Sequence, residues 1–330
     1  MEERKRWCMM SISLSVCKQA LPLVNFPAGR LKMDSFDPRR QKEKVVVVMG
    51  VTGTGKSRLS IDLATQFHAE IVNSDKMQVY EGLDIVTNKV TEEEQCGIPH
   101  HLLGVIDPEV DFTATDFRHR ASLSVGSIVG RDRLPIIVGG SNSYIEALVD
   151  DEDCEFRSKY DCCFLWVDVP LPLLHPFVSN RVDRMVEAGL VNEARQMFEP
   201  DADYSRGIRR AIGVPEMDRY FRVEATANEE TRASLLEAAI NDIKANTCIL
   251  ACRQMPKIHR LRNLWRRNFH RLDATEVFLR RGEEADEAWE KLVAGPSHMI
   301  VKQFLYSEYP SRTISATTAV ARTVVAAATH

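Results

Sequence analysis

The sequence predicts an α/β protein, a parallel sheet flanked by helices and followed by a mainly helical C-terminal part. Three observations predict it. The apolar run Val45-Val46-Val47-Val48-Met49 leads directly into Gly50-Val51-Thr52-Gly53-Thr54-Gly55-Lys56-Ser57, which fits G-x-x-x-x-G-K-[ST] at a strand-to-helix junction. Apolar runs of strand length then alternate with helical periodicity as far as residue 169, as right-handed crossovers in a P-loop NTPase-like sheet require. Beyond residue 170 apolar residues recur at spacings of three and four.

In chain order, residues 1–43 carry Arg4, Lys5, Arg6, Lys18, Arg30, Lys32, Arg39 and Arg40 among scattered serines. That resembles a transit peptide to a chloroplast or other plastid. Glu2 and Glu3 are wrong for one, and a disordered cytosolic tail is the alternative. Strand 44–49 leads to helix 56–67. Strand 69–73 opens a long loop through Asp75, Gln78, Thr87, Asn88 and Lys89. Helix 113–130, strand 135–139 and helix 142–149 follow, and Phe164-Leu165-Trp166-Val167-Asp168-Val169 reads as another buried strand. Residues 44–170 are thus the expected P-loop core. Segments near 172–187, 190–198, 208–221 and 228–255 form the expected helical part, 171–309, closing over a nucleotide. Residues 310–330, rich in Ser, Thr, Ala and Val, read as a loose tail.

Composition bounds the function. With 330 residues, 44% hydrophobic and 27% charged, the chain has room for one large domain or a domain with a lobe. Its apolar runs are too short to span a membrane. A net charge of −4 gives no support to a nucleic-acid surface. The cysteines form no CxxC pair or Cys/His zinc spacing, which argues against a metal finger and suits a reducing compartment. A monomer is expected.

The chemistry gathers where strands end, since ligands of open parallel sheets bind outside the carboxyl ends of the strands. The glycines from Gly50 to Gly55 let successive N–H groups point inward as an anion nest, and the helix N-terminus adds its positive end. Lys56 can neutralise phosphate and the Ser57 hydroxyl can ligate Mg²⁺. Asp75 follows the second strand. In a nucleotide kinase it would hold Mg²⁺ or orient a hydroxyl, and the alternative is a structural cap. The loop alone does not reveal which phosphate it holds.

Several further segments carry a resemblance. Asn73-Ser74-Asp75-Lys76-Met77-Gln78-Val79-Tyr80, Thr87-Asn88-Lys89, Gly97-Ile98-Pro99-His100-His101-Leu102-Leu103 and Gly139-Gly140-Ser141-Asn142-Ser143-Tyr144-Ile145 join the P-loop in resembling the isopentenyltransferase superfamily. Asn180-Arg181-Val182-Asp183-Arg184-Met185, Gly207-Ile208-Arg209-Arg210-Ala211-Ile212-Gly213 and Ala251-Cys252-Arg253-Gln254 extend it over residues 44–272. That superfamily holds the tRNA dimethylallyltransferases and the adenylate isopentenyltransferases, which carry out the first step of cytokinin biosynthesis.

The resemblance implies that Gly50, Val51, Thr52, Gly53, Thr54, Gly55, Lys56 and Ser57 cradle the diphosphate of dimethylallyl diphosphate, the leaving group, with Mg²⁺ at Ser57. It implies that Asp75 is the general base and that Arg157 and Arg209 contact diphosphate, a role suited to the planar guanidinium. It places Asp75, Thr87, Asn88 and Ser141 toward the adenine nucleotide, and basic residues near Lys244 toward its outer phosphates. His100-His101 is a structural motif in that family.

The acceptor expected is free ATP, ADP or AMP, with the first two favoured because the chain resembles the plant-type enzymes. The tRNA enzymes insert a helical lobe before the last core strand, and here residues 149–163 leave room only for a loop. The basic stripe Arg253, Lys257, Arg260, Arg262, Arg266, Arg267 and Arg271, with Trp265 and Phe269, argues for nucleic acid. A helix-to-loop rim that binds nucleotide phosphates or is simply solvated is the preferred reading of it. A tRNA dimethylallyltransferase and a P-loop small-molecule kinase are the alternative readings.

Overall fold

A computed structural model of the chain describes residues 42–150 and 155–306. The expected transit segment before residue 42 and the expected tail after residue 306 lie outside the described residues.

Val45 to Met49 read as a continuous apolar run because their strand is covered on both faces. This strand, β1 (Glu43–Met49), lies inside a parallel sheet that also contains β2 (Ala69–Asn73), β3 (His100–His101), β4 (Leu134–Val138), β5 (Tyr160–Asp168) and β6 (Phe269–Asp273). The order is β3-β2-β4-β1-β5-β6. The chain builds β2 and β3 on one side of β1, fills the gap with β4, then crosses over for β5 and β6. Strand periodicity assigns the layers. Val45, Val47 and Met49 pack with helices α2 (Ala114–Val129) and α3 (Asn142–Val149) through Phe117, Val125, Ile145 and Leu148. Val46 and Val48 face α1 (Lys56–Phe67) through Leu59 and Leu63.

Local signals fix several helix ends. Thr113 and Asp116 form a reciprocal capping box at the start of α2. After β5, α5 (Leu171–Ala188) starts at Pro172 and stops at Gly189, whose φ of 114° suits glycine. The residues 150–159 between α3 and β5 contain only one short described helix, α4 (Glu155–Lys159).

Three expectations are corrected. The predicted helix over 208–221 is two 3₁₀ turns, Gly207–Arg210 and Pro215–Met217, running into the short α7 (Asp218–Val223), after α6 (Leu190–Gln196). Gly213, at φ 111°, and Pro215 break it. The helix expected to end at 255 continues as α8 (Glu229–Leu264) through Pro256. Its buried stripe Ala239, Ile243, Thr247, Ala251, Gln254, Ile258, Leu261 carries on past the proline, and that burial outweighs the lost backbone bond.

The third correction concerns the domain division. Helices α5 and α8 pack together, but the chain then returns to the sheet as β6, α9 (Thr275–Leu279), α10 (Glu283–Trp289), a π turn over Glu290–Ala294 and α11 (Gly295–Tyr306). Leu272, Phe278, Trp289, Val293, Val301 and Phe304 join the core on the α1 side. The segment after residue 268 therefore belongs to the α/β core.

Candidate functional site

At the carboxyl end of β1 the loop closes on itself. Val51 O accepts the Thr54 hydroxyl at 3.0 Å and Lys56 Nζ at 2.8 Å. The N–H groups of Gly53, Gly55, Lys56 and Ser57 donate no bond among the described residues. Gly55 caps α1 at φ 91°, a left-handed conformation that a side chain would strain. The loop thus offers backbone donors and a helix N-terminus to an anion.

Its surroundings are positive and half-buried. Burial lowers the Lys56 pKa to about 8, with the Asp75 carboxylate opposing that shift and Arg181 adding to it. Burial likewise brings Arg181, on α5, down to about 10, Arg184 adding and Asp75 opposing. Arg181 Nη2 donates to Thr52 Oγ1 at 2.9 Å, while its Nε is buried with no hydrogen-bond partner among the described residues. Two partly desolvated cations beside one carboxylate leave positive charge that a bound anion would complement.

Asp75 reaches this pocket from β2 although β4 lies between β2 and β1. The corner Gly139-Gly140 after β4 makes the approach possible. A Cβ on Gly139 would lie 2.4 Å from Ser74 Oγ, and one on Gly140 would lie 2.6 Å from Gln254 Nε2 and 3.7 Å from Asp75 Oδ2. Asp75 Oδ1 accepts the N–H groups of Met77 at 2.9 Å and Gln78 at 3.4 Å. Oδ2 has no bond among the described residues and faces the glycine corner.

Gln254 ties the ends of β1 and β4 together. Its Oε1 accepts Thr52 N–H at 2.8 Å, its Nε2 donates to Gly140 O at 3.0 Å, and its backbone carbonyl accepts Asn142 Nδ2 at 3.4 Å. Gln254→Leu would leave a loop N–H and a buried carbonyl unpaired. It is expected to destabilise the fold by about 1–3 kcal/mol and to weaken anion binding at the loop. Denaturant unfolding together with titration of inorganic diphosphate checks this, and unchanged values for both would contradict it.

Other residues expected at the nucleotide end support the Asp75 loop. The Thr87 hydroxyl donates to Leu83 O at 2.7 Å, and the Thr87 and Asn88 carbonyls accept Gln78 Nε2 at 3.1 and 3.0 Å. Ser141 Oγ accepts Lys76 N–H at 2.9 Å. Lys244 pairs with Asp183 at 2.5 Å and lies about 15 Å along α8 from Gln254.

Two arginines are placed differently from the expectation. Arg157 precedes β5 and pairs with Asp150 at 2.6 Å. The nine residues of β5 put it roughly 25 Å from the loop, at the amino ends of the strands. Arg209 is buried and held by Glu109 and Glu199, each at 3.0 Å, and by Met197 O. It is a brace. Neighbours in a 3₁₀ turn point about 120° apart, and it is Arg210 that donates to Tyr80 Oη at 3.2 Å. Burial lowers the Lys76 pKa, and Lys257 and Arg210 add to that. Lys76, Lys257 and Arg210 thus form a cationic rim beside Asp75.

The histidines lie in edge strand β3, where successive side chains face opposite ways. His101 Nε2 meets Glu70 at 2.8 Å. Part of the basic stripe brackets the sheet: Arg260 pairs with Glu146, Arg271 pairs with Asp168 at 2.6 Å, and Trp265 stacks on Phe164.

Strand order and loop define a P-loop α/β protein with a helical part leaning on the phosphate loop. The chain belongs to the IPP transferase family, whose model matches residues 78–158 and 150–260. It is 63% identical over 290 residues to adenylate isopentenyltransferase 5, chloroplastic, of Arabidopsis thaliana, covering 86% of each chain. It is 56% identical over 322 residues to adenylate isopentenyltransferase 3, chloroplastic, of the same plant, covering 95% of this chain and 96% of that one. Against adenylate isopentenyltransferase 7, mitochondrial, also from that plant, identity is 54%, covering 89% and 90%. The fold is similar to a eukaryotic dimethylallyltransferase acting on tRNA, with TM-score 0.65, 24% identity and 80% of each chain covered. It is also similar to the tRNA isopentenylpyrophosphate transferase of Bacillus halodurans, with TM-score 0.61, 27% identity, and 80% of this chain and 100% of that one covered.

Proposed function

We propose that this protein transfers the dimethylallyl group of dimethylallyl diphosphate to N6 of adenine in a free nucleotide, ADP or ATP ahead of AMP. One observation carries the reading: an anion loop with two half-buried cations, Lys56 and Arg181, faces a carboxylate that keeps one oxygen without a bond among the described residues. The adenylate isopentenyltransferases at 54–63% identity support it.

In this reading the donor diphosphate lies on the N–H groups of Gly53, Gly55, Lys56 and Ser57. The amine N6 is a poor nucleophile because its lone pair is delocalised into the ring. Asp75 Oδ2 accepts its proton as N6 bonds to the allylic carbon. The carbon–oxygen bond breaks with its electron pair going to diphosphate, whose growing charge is met by the loop, Lys56 and Arg181. Holding both substrates in line supplies the orientation contribution. The cationic rim of Lys76, Lys257 and Arg210 suits the acceptor's outer phosphates better than Lys244, whose charge is paired.

Ser57 Oγ, exposed on the first turn of α1 and without a bond among the described residues, fits Mg²⁺ held jointly with diphosphate. No cluster of His, Cys, Asp or Glu among the described residues would hold the ion alone. When bound, the ion would add to the neutralisation of leaving-group charge.

No helix among the described residues is long and apolar enough to cross a membrane. The basic leader and the chloroplastic names of two relatives support a plastid location. Incubation with ATP, with and without dimethylallyl diphosphate, tests the reaction class. The proposal expects turnover only with the prenyl donor, whereas phosphoryl transfer without it would favour a kinase.

A further inference from the structure

We infer that Trp289, at the end of α10, is a positioning residue for the diphosphate loop. The inference rests on the reading that this loop holds the donor. It lies more than two hundred residues from the loop in sequence, yet its ring forms the floor beneath it. A Cβ on Gly55 would lie 2.8 Å from two ring carbons of Trp289, so the indole is in contact with the last glycine of the loop. Gly55 is where the loop turns into α1 and where the N–H groups of Lys56 and Ser57 begin to face the anion.

The ring has little freedom to move. Trp289 is fully buried, and its Nε1 donates to Asp62 Oδ2 at 2.9 Å. The Arg58 guanidinium lies over the ring, 4.7 Å from its centroid, and Arg58 Nη2 pairs with Asp286 at 2.9 Å. Arg58 and Asp62 are one turn apart on α1, so α10 grips α1 along one stripe from the loop downward. The π turn over Glu290–Ala294 starts directly after Trp289. Trp289 and Val293, four residues apart, both face inward, where each is fully buried.

An anion nest depends on the placement of its N–H groups, and a lost hydrogen bond to a charged group costs about 1.5–3 kcal/mol, roughly 10- to 100-fold in affinity. The indole fixes the height of Gly55 above α10, so it fixes those donors without touching substrate. Trp289→Leu opens space beneath Gly55, whereas Trp289→Phe keeps an aromatic floor and loses only the N–H bond.

The test is calorimetric titration of inorganic diphosphate into each variant, with KM for dimethylallyl diphosphate and for ADP measured on the same preparations. Trp289→Leu is expected to raise the diphosphate Kd and the donor KM by about 10- to 100-fold while leaving the ADP KM unchanged. Trp289→Phe should restore most of the diphosphate affinity. If Trp289→Leu does not fold, Asp62→Ala, which frees the indole N–H, should give the same donor-only defect in smaller measure. Unchanged diphosphate affinity in folded Trp289→Leu or Asp62→Ala overturns the positioning role. So does an equal loss for donor and acceptor. A wild-type protein that binds no diphosphate contradicts instead the functional reading on which the inference rests.

Discussion

Asp75→Asn is expected to bind both substrates and to turn over about 10²–10⁴-fold more slowly than the parent, the loss typical of removing a general base. The geometry makes this substitution informative. Oδ1 holds the turn by accepting the N–H groups of Met77 and Gln78, and an asparagine oxygen can do the same. Oδ2 lies over the glycine corner and has no bond among the described residues, so the amide that replaces it disturbs no internal contact. What is lost is the ability to take a proton from N6, together with the negative charge between Lys56 and Arg181. A capping aspartate would behave in the opposite way, with a lower melting temperature and a normal rate in the folded fraction. Single-turnover rate and melting temperature on one preparation separate the two. A stable variant running near full speed would contradict the mechanism.

Lys56→Ala is expected to raise the inorganic diphosphate Kd and the donor KM by about 10- to 100-fold. That follows from losing a hydrogen bond to a charged group, worth about 1.5–3 kcal/mol, while ADP binding stays intact. Burial lowers the Lys56 ammonium pKa to about 8, which means the fold disfavours its charge. Removing that charge should therefore leave thermal stability equal or higher, and a binding defect cannot be attributed to unfolding. Calorimetry with each ligand in turn decides the orientation. If nucleotide binding is lost and donor binding kept, the loop holds the nucleotide and the kinase reading takes its place.

The first half of the molecule was legible because its signals are local. A buried strand, a glycine turn and an amphipathic helix follow one another between Glu43 and Phe67, and the structure places them there. β6 was hidden because Phe269-His270-Arg271-Leu272-Asp273 is an edge strand with one fully buried side chain and no alternating pattern. The continuation of α8 through Pro256 was hidden because tertiary burial, absent from local propensity, sets the outcome there. Arg181, Arg210 and Gln254 all stand in motifs that the sequence displays, but motif membership does not tell which side chain points inward. In the turn Gly207–Arg210, the choice between Arg209 and Arg210 depends on Glu199 and on Glu109, the latter about a hundred residues away in sequence. Trp289 carries no local signal, since its role depends on the return of the chain to α1.

The nature of the product separates the possible acceptors most directly. Wild-type protein incubated with dimethylallyl diphosphate, Mg²⁺ and, separately, AMP, ADP, ATP and tRNA, followed by mass analysis, shows which acceptor gains the prenyl group. The prediction is N6-dimethylallyl ADP and ATP in excess over the AMP product, with diphosphate released in equal amount and tRNA unmodified. Modified tRNA with unaltered free nucleotides would contradict it.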